Sequence, residues 1–255
     1  DRKILEYTYS HVDYISLHQY YGGQEAGTEA FLGQSVELEE YIETVIGICD
    51  IVRSKKKLRK KINISFDEWG VWEIPGEAVA DSVNRRDWEI APAFSEQIYT
   101  MEDALLFSSM LMAMMKKADR VKIACQALLT NISACIMTEK GGESWRQTIF
   151  YPFAYLSKYG QGEVMRTVDE IPEYSVSKGY QVPFLDYVIT YREERQELVI
   201  FAVNRRPDKA ELEMELQGFN DCTILEAIML CADNLKDTNL EDHMRVVPVK
   251  ANQGA

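Results

Sequence analysis

The apolar positions of this chain follow two rhythms. Residues 13–21, DYISLHQYY, are dense in β-branched and aromatic side chains and stop at Gly22-Gly23, which predicts a strand. Tyr14, Ser16, His18 and Tyr20 share one face of it; Ile15, Leu17, Gln19 and Tyr21 share the other. Residues 22–33 read as a loop. From about residue 35 to 57 a helical spacing sets in, carried by Val36, Leu38, Ile42, Val45, Ile46, Cys49 and Val52. The cationic run KKKLRKK at 55–61 suits the negative end of that helix. Residues 62–66 predict a second strand, running straight into Asp67-Glu68-Trp69-Gly70. In an unbroken strand Ile62, Ile64, Phe66 and Glu68 share a parity, so Glu68 is expected on the face of three apolar residues. Residues 74–95 are long, polar and punctuated by Pro75, Gly76 and Pro92, as functional or disordered loops are. Trp88 within them is either a substrate platform or an apolar plug. Residues 96–119 predict a buried helix whose methionines pack the core. Residues 120–129 read as a third strand and 130–142 as a loop. Residues 145–159 read as a further helix, with Pro152 bending or delaying its start.

Past residue 160 the helical spacing stops. Short β segments take over at 162–168, 184–191, 197–204, 210–216, 222–230 and 244–249, with a hairpin turned at 192–195. The chain therefore divides into 1–160 and 161–255. Strand and helix alternate in the first part, which predicts parallel strands joined by crossover helices. The polar features His18/Tyr20, Glu68 and 126–131 fall at the C-terminal ends of those strands, where a (β/α)8 barrel carries its site. The expected fold is α/β plus all-β: the C-terminal part of a (β/α)8 TIM barrel, about strands six to eight, followed by an antiparallel β-sandwich. Three βα units cannot close a barrel, so roughly five more are expected upstream.

Charge and composition narrow the partners. A net charge of −13 opposes binding to nucleic acid, whose phosphates need a basic surface. No apolar run approaches the ~20 residues of a membrane span. The five cysteines are an odd number without a C-x-x-C spacing, which predicts reduced, buried thiols in a cytosolic protein. Three scattered histidines suggest no metal site, and nothing points to a cofactor. The first residues, DRKILEYTYS, carry neither an initiator Met nor a leader, and read as the middle of a longer chain.

Glu68 among aromatics has the chemistry of a sugar-cleaving site. A carboxylate can attack an anomeric carbon while indole faces cover the C–H surface of a sugar. An acid at a strand end that pairs with an arginine or caps a helix fits the spacing as well. His18 and Tyr20 are likewise either site residues or polar groups satisfied at a rim.

Five separated blocks, in order, resemble one family. They are DYISLHQYYG (13–22), INISFDEWGVW (62–72), EDALLFSSMLMAMMKKADRVKIAC (102–125), NISACIMTEKGG (131–142) and TIFYPFAYLSKYGQG (148–162). Together with LVIFAVNRR (198–206) they resemble the C-terminal half of glycoside hydrolase family 51, the α-L-arabinofuranosidases. The resemblance implies a retaining enzyme that removes terminal arabinofuranosyl residues through a covalent glycosyl-enzyme. Glu68 matches the nucleophile. His18 and Tyr20 match site residues at the end of strand six, with Tyr20 orienting the nucleophile and His18 supporting the acid side. Trp72 matches an aromatic lining the sugar pocket. The implied partners are arabinose-containing oligosaccharides, in a cytoplasmic homo-oligomer serving arabinan degradation.

The family's general acid/base sits in an Asn-Glu pair at the end of strand four, and no such dipeptide occurs here. Glu139, in TEKGG, reads as structural. The chain is therefore expected to lack the N-terminal half of the barrel and to be inactive alone. Gly70 stands where the family usually has Asn. Leu128 stands where it usually has a sugar-binding Gln, and Gln126 either takes over that contact or points into the barrel. The end, VPVKANQGA, stops where another apolar strand is usual. Two other readings remain: a catalytically silent carbohydrate-binding or assembly module, and an endo-glycanase of the same clan, which needs an open groove instead of a pocket, a matter that residues 74–95 would decide.

Overall fold

The computed structural model describes residues 2–73, 90, 95–177, 179–219 and 222–251. A short helix, α1 (Arg2–Thr8), leads into β1 (Tyr14–Tyr21), α2 (Thr28–Lys56), β2 (Asn63–Val71), α3 (Met101–Lys116) and β3 (Val121–Ala124). The three strands form one parallel sheet in the order β1-β2-β3, as the alternating rhythm predicts. Most of the long segment 74–95, with Trp88, and the terminal residues 252–255 lie outside the described residues.

α2 begins at Thr28 after a 3-10 turn at Gln24–Ala26, seven residues before the expected start. Phe31 and Leu32 extend the buried stripe of Leu38, Ile42, Val45, Cys49 and Val52, and this packing outweighs the helix-weakening effect of Gly33. A side chain at Gly33 would meet Val176 and Val182 at 3.1 Å, so the glycine admits a later hairpin against the helix. At the other end Lys57 takes a left-handed φ of 54° and its N–H closes on the carbonyls of Arg53 and Ser54. Arg53, Lys55 and Lys56 occupy the last turn, as the dipole favours.

α3 starts at Met101, not at residue 96, because Thr100 and Asp103 form a reciprocal capping box. Its Met101, Met110, Met112 and Met114 are buried. Ile62, Ile64, Phe66, Trp69 and Val71 join the same core as residues of both helices. Trp69 lies tilted on Phe107 with centroids 4.6 Å apart.

Residues 120–129 are not one strand. The chain leaves the sheet after Ala124, and β4 (Leu128–Thr130) pairs with β5 (Ala134–Thr138), inside the stretch expected to be a loop. β6 (Ser144–Arg146) completes that small sheet, so the next helix, α4 (Phe150–Tyr159), starts later than residue 145. Pro152 sits in its first turn, where a missing N–H costs no helix bond.

In the second half the expected hairpin is present. β10 (Leu185–Arg192) pairs antiparallel with β11 (Glu197–Asn204) through a 3-10 turn and a left-handed Gln196 at φ 51°. β7 (Glu163–Val164) lies on the other side of β10, and β8 (Glu173–Ser175) pairs with β9 (Gln181–Pro183). Residues 210–216 alternate like a strand but form none, and Leu212 and Met214 are exposed. Residues 222–230 contract to β12 (Ile228–Met229), which pairs with β15 (Val249–Lys250). Between them β13 (Asn239–Leu240) pairs with β14 (His243–Met244). An alternating pattern becomes a strand only where another backbone edge receives its hydrogen bonds.

The hairpin is fastened to the helices by a buried charge cluster. Arg205 meets Asp186 at 2.7 Å, both side chains being almost wholly buried. Arg205 also donates to Ser35 Oγ at 2.8 Å, Ser109 Oγ at 3.2 Å and the Pro183 carbonyl at 2.7 Å. Lys116 reaches Asp186 at 2.9 Å and Glu39 at 3.5 Å. All five cysteines are free. Cys49 and Cys135 are buried, but Cys125, Cys222 and Cys231 are exposed, against the expectation of buried thiols.

Candidate active site

Glu68 does not share a face with Ile64 and Phe66. The pairing of β1 with β2 runs Leu17↔Phe66 and then His18↔Glu68, so Asp67 is an extra residue, a bulge, in β2. Before the bulge Ile64 and Phe66 enter the core; after it Trp69 and Val71 do. Glu68 is thereby turned onto the face of Ser16, His18 and Tyr20. The parity expectation fails because it assumes an unbroken strand.

The bulge brings four sequence-predicted residues together. Tyr20 Oη donates to Glu68 Oε1 at 2.9 Å. His18 Nδ1 lies 3.4 Å from Glu68 Oε2, and its Nε2 lies 3.6 Å from Asp67 Oδ1. Ser16 Oγ donates to Asp67 Oδ1 at 2.7 Å. The ring of Trp72 meets that of Tyr20 edge-on, with centroids 5.7 Å apart. Burial, then the hydrogen bond and charge of Glu68, push the Tyr20 phenol above its ordinary pKa. It therefore stays protonated and remains a donor at working pH.

An open cleft of about 490 Å³ is lined by Tyr20, Tyr21, Gly22, Glu68 and Trp72. That is within the range of small-ligand sites. Trp72, 37% exposed, offers an indole to the cleft. Tyr21 and Gly22 were not singled out from the sequence. Tyr21 lies on the opposite parity of β1, and Gly22 is recognisable only by its neighbour: a Cβ there would stand 2.3 Å from the Trp72 carbonyl oxygen. The strand ends are tied together here, since Trp72 N–H donates to the Tyr21 carbonyl at 2.7 Å and Tyr99 Oη to that of Val71 at 3.2 Å.

Gln126 is not among the cleft residues. Its amide donates to the Ser133 carbonyl and its Oε1 receives the Cys135 thiol at 3.5 Å. Glu139 lies exposed in the β5–β6 turn, where its backbone bonds to Glu143 and Gly142. At Gly70 an added Cβ would meet the Tyr20 ring at 3.7 Å, an ordinary contact. Among the described residues no cluster of His, Cys, Asp and Glu has metal-binding geometry, and no helix is long and apolar enough to cross a membrane. The site thus offers a carboxylate held by a neutral donor, facing a cleft with aromatic walls, which is the equipment for attack on an anomeric carbon.

Residues 67–255 match the family model described as the α-L-arabinofuranosidase C-terminal domain. The chain is 45% identical over 248 residues to the intracellular exo-α-(1→5)-L-arabinofuranosidase 1 of Bacillus subtilis (strain 168), covering 97% of this chain and 49% of that protein. It is 44% identical over 254 residues to the intracellular exo-α-(1→5)-L-arabinofuranosidase of Acetivibrio thermocellus, covering 99% and 50%. Among solved structures, a family 51 α-L-arabinofuranosidase from Bifidobacterium longum matches with a TM-score of 0.86 at 30% identity, over 98% of this chain and 50% of that one. The chain spans about half the length of the curated relatives it matches.

Proposed function

Because this chain belongs to the α-L-arabinofuranosidases of glycoside hydrolase family 51, as their C-terminal half, we propose that it carries the nucleophile side of a retaining arabinofuranosidase site. Glu68 is the nucleophile. Tyr20 holds its carboxylate, His18 stands beside it, and Trp72 covers a face of the sugar. The observation that carries this reading is the 2.9 Å hydrogen bond from Tyr20 to Glu68, made across the bulge at the edge of an open cleft.

In a retaining mechanism Glu68 attacks the anomeric carbon as a second carboxyl group protonates the leaving oxygen. The arabinosyl ester that results is cleaved by water, activated by that second group. The two carboxyls of such a site stand ~5–5.5 Å apart. The only carboxylate lining this cleft among the described residues is Glu68 itself, and Asp67 is engaged by Ser16. We assign the acid/base to the remainder of a longer polypeptide. In that polypeptide residues 1–160 supply the last strands of a (β/α)8 barrel and residues 161–255 a β-sandwich. The 255-residue chain alone is then inert. The substrates that fit the names of the relatives are short α-(1→5)-linked arabino-oligosaccharides, cleaved from their ends in the cytoplasm.

The test is hydrolysis of an aryl α-L-arabinofuranoside by the longer polypeptide, by this chain alone and by a Glu68→Gln version of the longer form, together with trapping by a slow fluorinated furanoside. Turnover only by the unaltered longer form, with the label on Glu68, supports the reading. Turnover by the Glu68→Gln form, or a label elsewhere, removes Glu68 from its role. A folded longer form that binds arabinosides but takes no label is a silent binding module.

A further inference from the structure

The C-terminal part of the chain reaches back over the strand ends beside the cleft. Thr238 bridges to Thr100, and the carbonyls of Asp237 and Leu235 accept the Met101 and Glu102 N–H groups at 2.8 and 2.9 Å, capping the first turn of α3. From the same segment Lys236 Nζ donates to Gln24 Oε1 and lies 2.5 Å from Glu102 Oε2. Glu102 is only 1% exposed, and its other oxygen accepts the Thr28 hydroxyl at 2.5 Å, at the first residue of α2. Gln24 passes the connection on. Its amide donates to Asp103 Oδ1 at 2.6 Å and its backbone N–H to Glu73 Oε1 at 3.1 Å. Glu73 and Asp103 thus meet Gln24 through its backbone and side-chain N–H groups, and Glu102 meets Lys236.

This network ends on the cleft wall. Gln24 lies two residues after Gly22, and Glu73 one residue after Trp72, both lining residues. We propose that Lys236 is a positioning residue for the cleft: by holding Gln24 and Glu102 it fixes the Gly22 backbone against Trp72, and so the wall that receives the sugar. The proposal rests on the reading of this cleft as an arabinofuranosyl site. A C-terminal segment remote in sequence would then set the shape of the strand-end site, although it touches no reacting atom.

Lys236→Met alone strands the buried Glu102 carboxylate and so lowers stability whatever else it does. The informative variant is therefore Glu102→Gln with Lys236→Met, which removes both charges, beside Lys236→Arg, all in the longer polypeptide. In the double variant the melting temperature is expected to return toward that of the unaltered protein. KM for an aryl α-L-arabinofuranoside is expected to stay raised about three- to tenfold, with kcat within about twofold, and Lys236→Arg to restore KM. Backbone hydrogen exchange at residues 21–26 and 72–73 is expected to speed up in both methionine variants. If KM and exchange recover together with the melting temperature, or never change, Lys236 is only structural and the proposal is overturned. If the unaltered polypeptide does not cleave the arabinofuranoside, the functional reading fails, and the exchange measurement alone decides the role of Lys236.

Discussion

Deleting Asp67 separates two geometries of the strand that carries Glu68. With the bulge, Phe66 pairs with Leu17 and Glu68 with His18, so Asp67 has no partner on β1. Its removal leaves an even strand in which Glu68 stays beside His18, and Trp69 and Val71 stay in the core. The loss is the Ser16–Asp67 hydrogen bond, made at 2.7 Å between exposed groups, and the outer contact of His18 with Asp67. Such a bond contributes roughly 0.5–1.5 kcal/mol, and closing up the strand should keep the total under about 2 kcal/mol. In an unbroken strand the same deletion would flip every later side chain. Trp69 and Val71, both 0% exposed, would leave the core, at a cost of about 5 kcal/mol or more. Urea unfolding, followed by the fluorescence of Trp69, measures the difference. A small loss with a buried Trp69 is expected. A loss above about 4 kcal/mol, or a solvent-exposed Trp69 emission, would refute the bulge as the device that aims Glu68.

Tyr20→Phe removes a hydrogen bond to a charged acceptor, worth about 1.5–3 kcal/mol, so kcat/KM of the longer polypeptide should fall roughly 10- to 150-fold; a change under twofold contradicts the proposed role. Arg205→Met leaves Asp186 buried without its closest partner and should destabilise by about 3–5 kcal/mol, whereas Arg205→Met with Asp186→Leu should recover most of that loss in chemical unfolding. Burial pushes the Asp103 carboxyl up to about 6, against the pull of Thr100 and Gln24. A raised folded pKa binds the proton more tightly than the unfolded chain, so this contribution is present below about pH 4 and is lost as pH rises through 6. Asp103→Asn should therefore flatten the decline of stability between those values by on the order of 2 kcal/mol, and an unchanged slope in pH-dependent unfolding would exclude Asp103 as its source.

Local rhythm was enough to predict the alternating strands and helices of the first half and the hairpin 185–204, because a spacing of two or of three to four residues is a property of one segment. The same text carried Glu68, Tyr20, His18 and Trp72 as candidates, and the blocks around them carried the family. What one segment cannot specify is how it meets another. The face of Glu68 depends on an extra residue in β2 relative to β1, and that mismatch exists only when the strands are paired. The early start of α2 depends on Phe31 and Leu32 finding a core, and on Val176 and Val182 finding space at Gly33. The missing strand at 210–216 lacks a neighbouring edge. Gly22 became a wall residue because the Trp72 carbonyl lies against it. Lys236 and Arg205, unremarkable along the chain, acquired partners 212 and 19 residues away. Hydrophobic periodicity determines what each element is; register and close packing, which are relations between elements, decide which side chains meet.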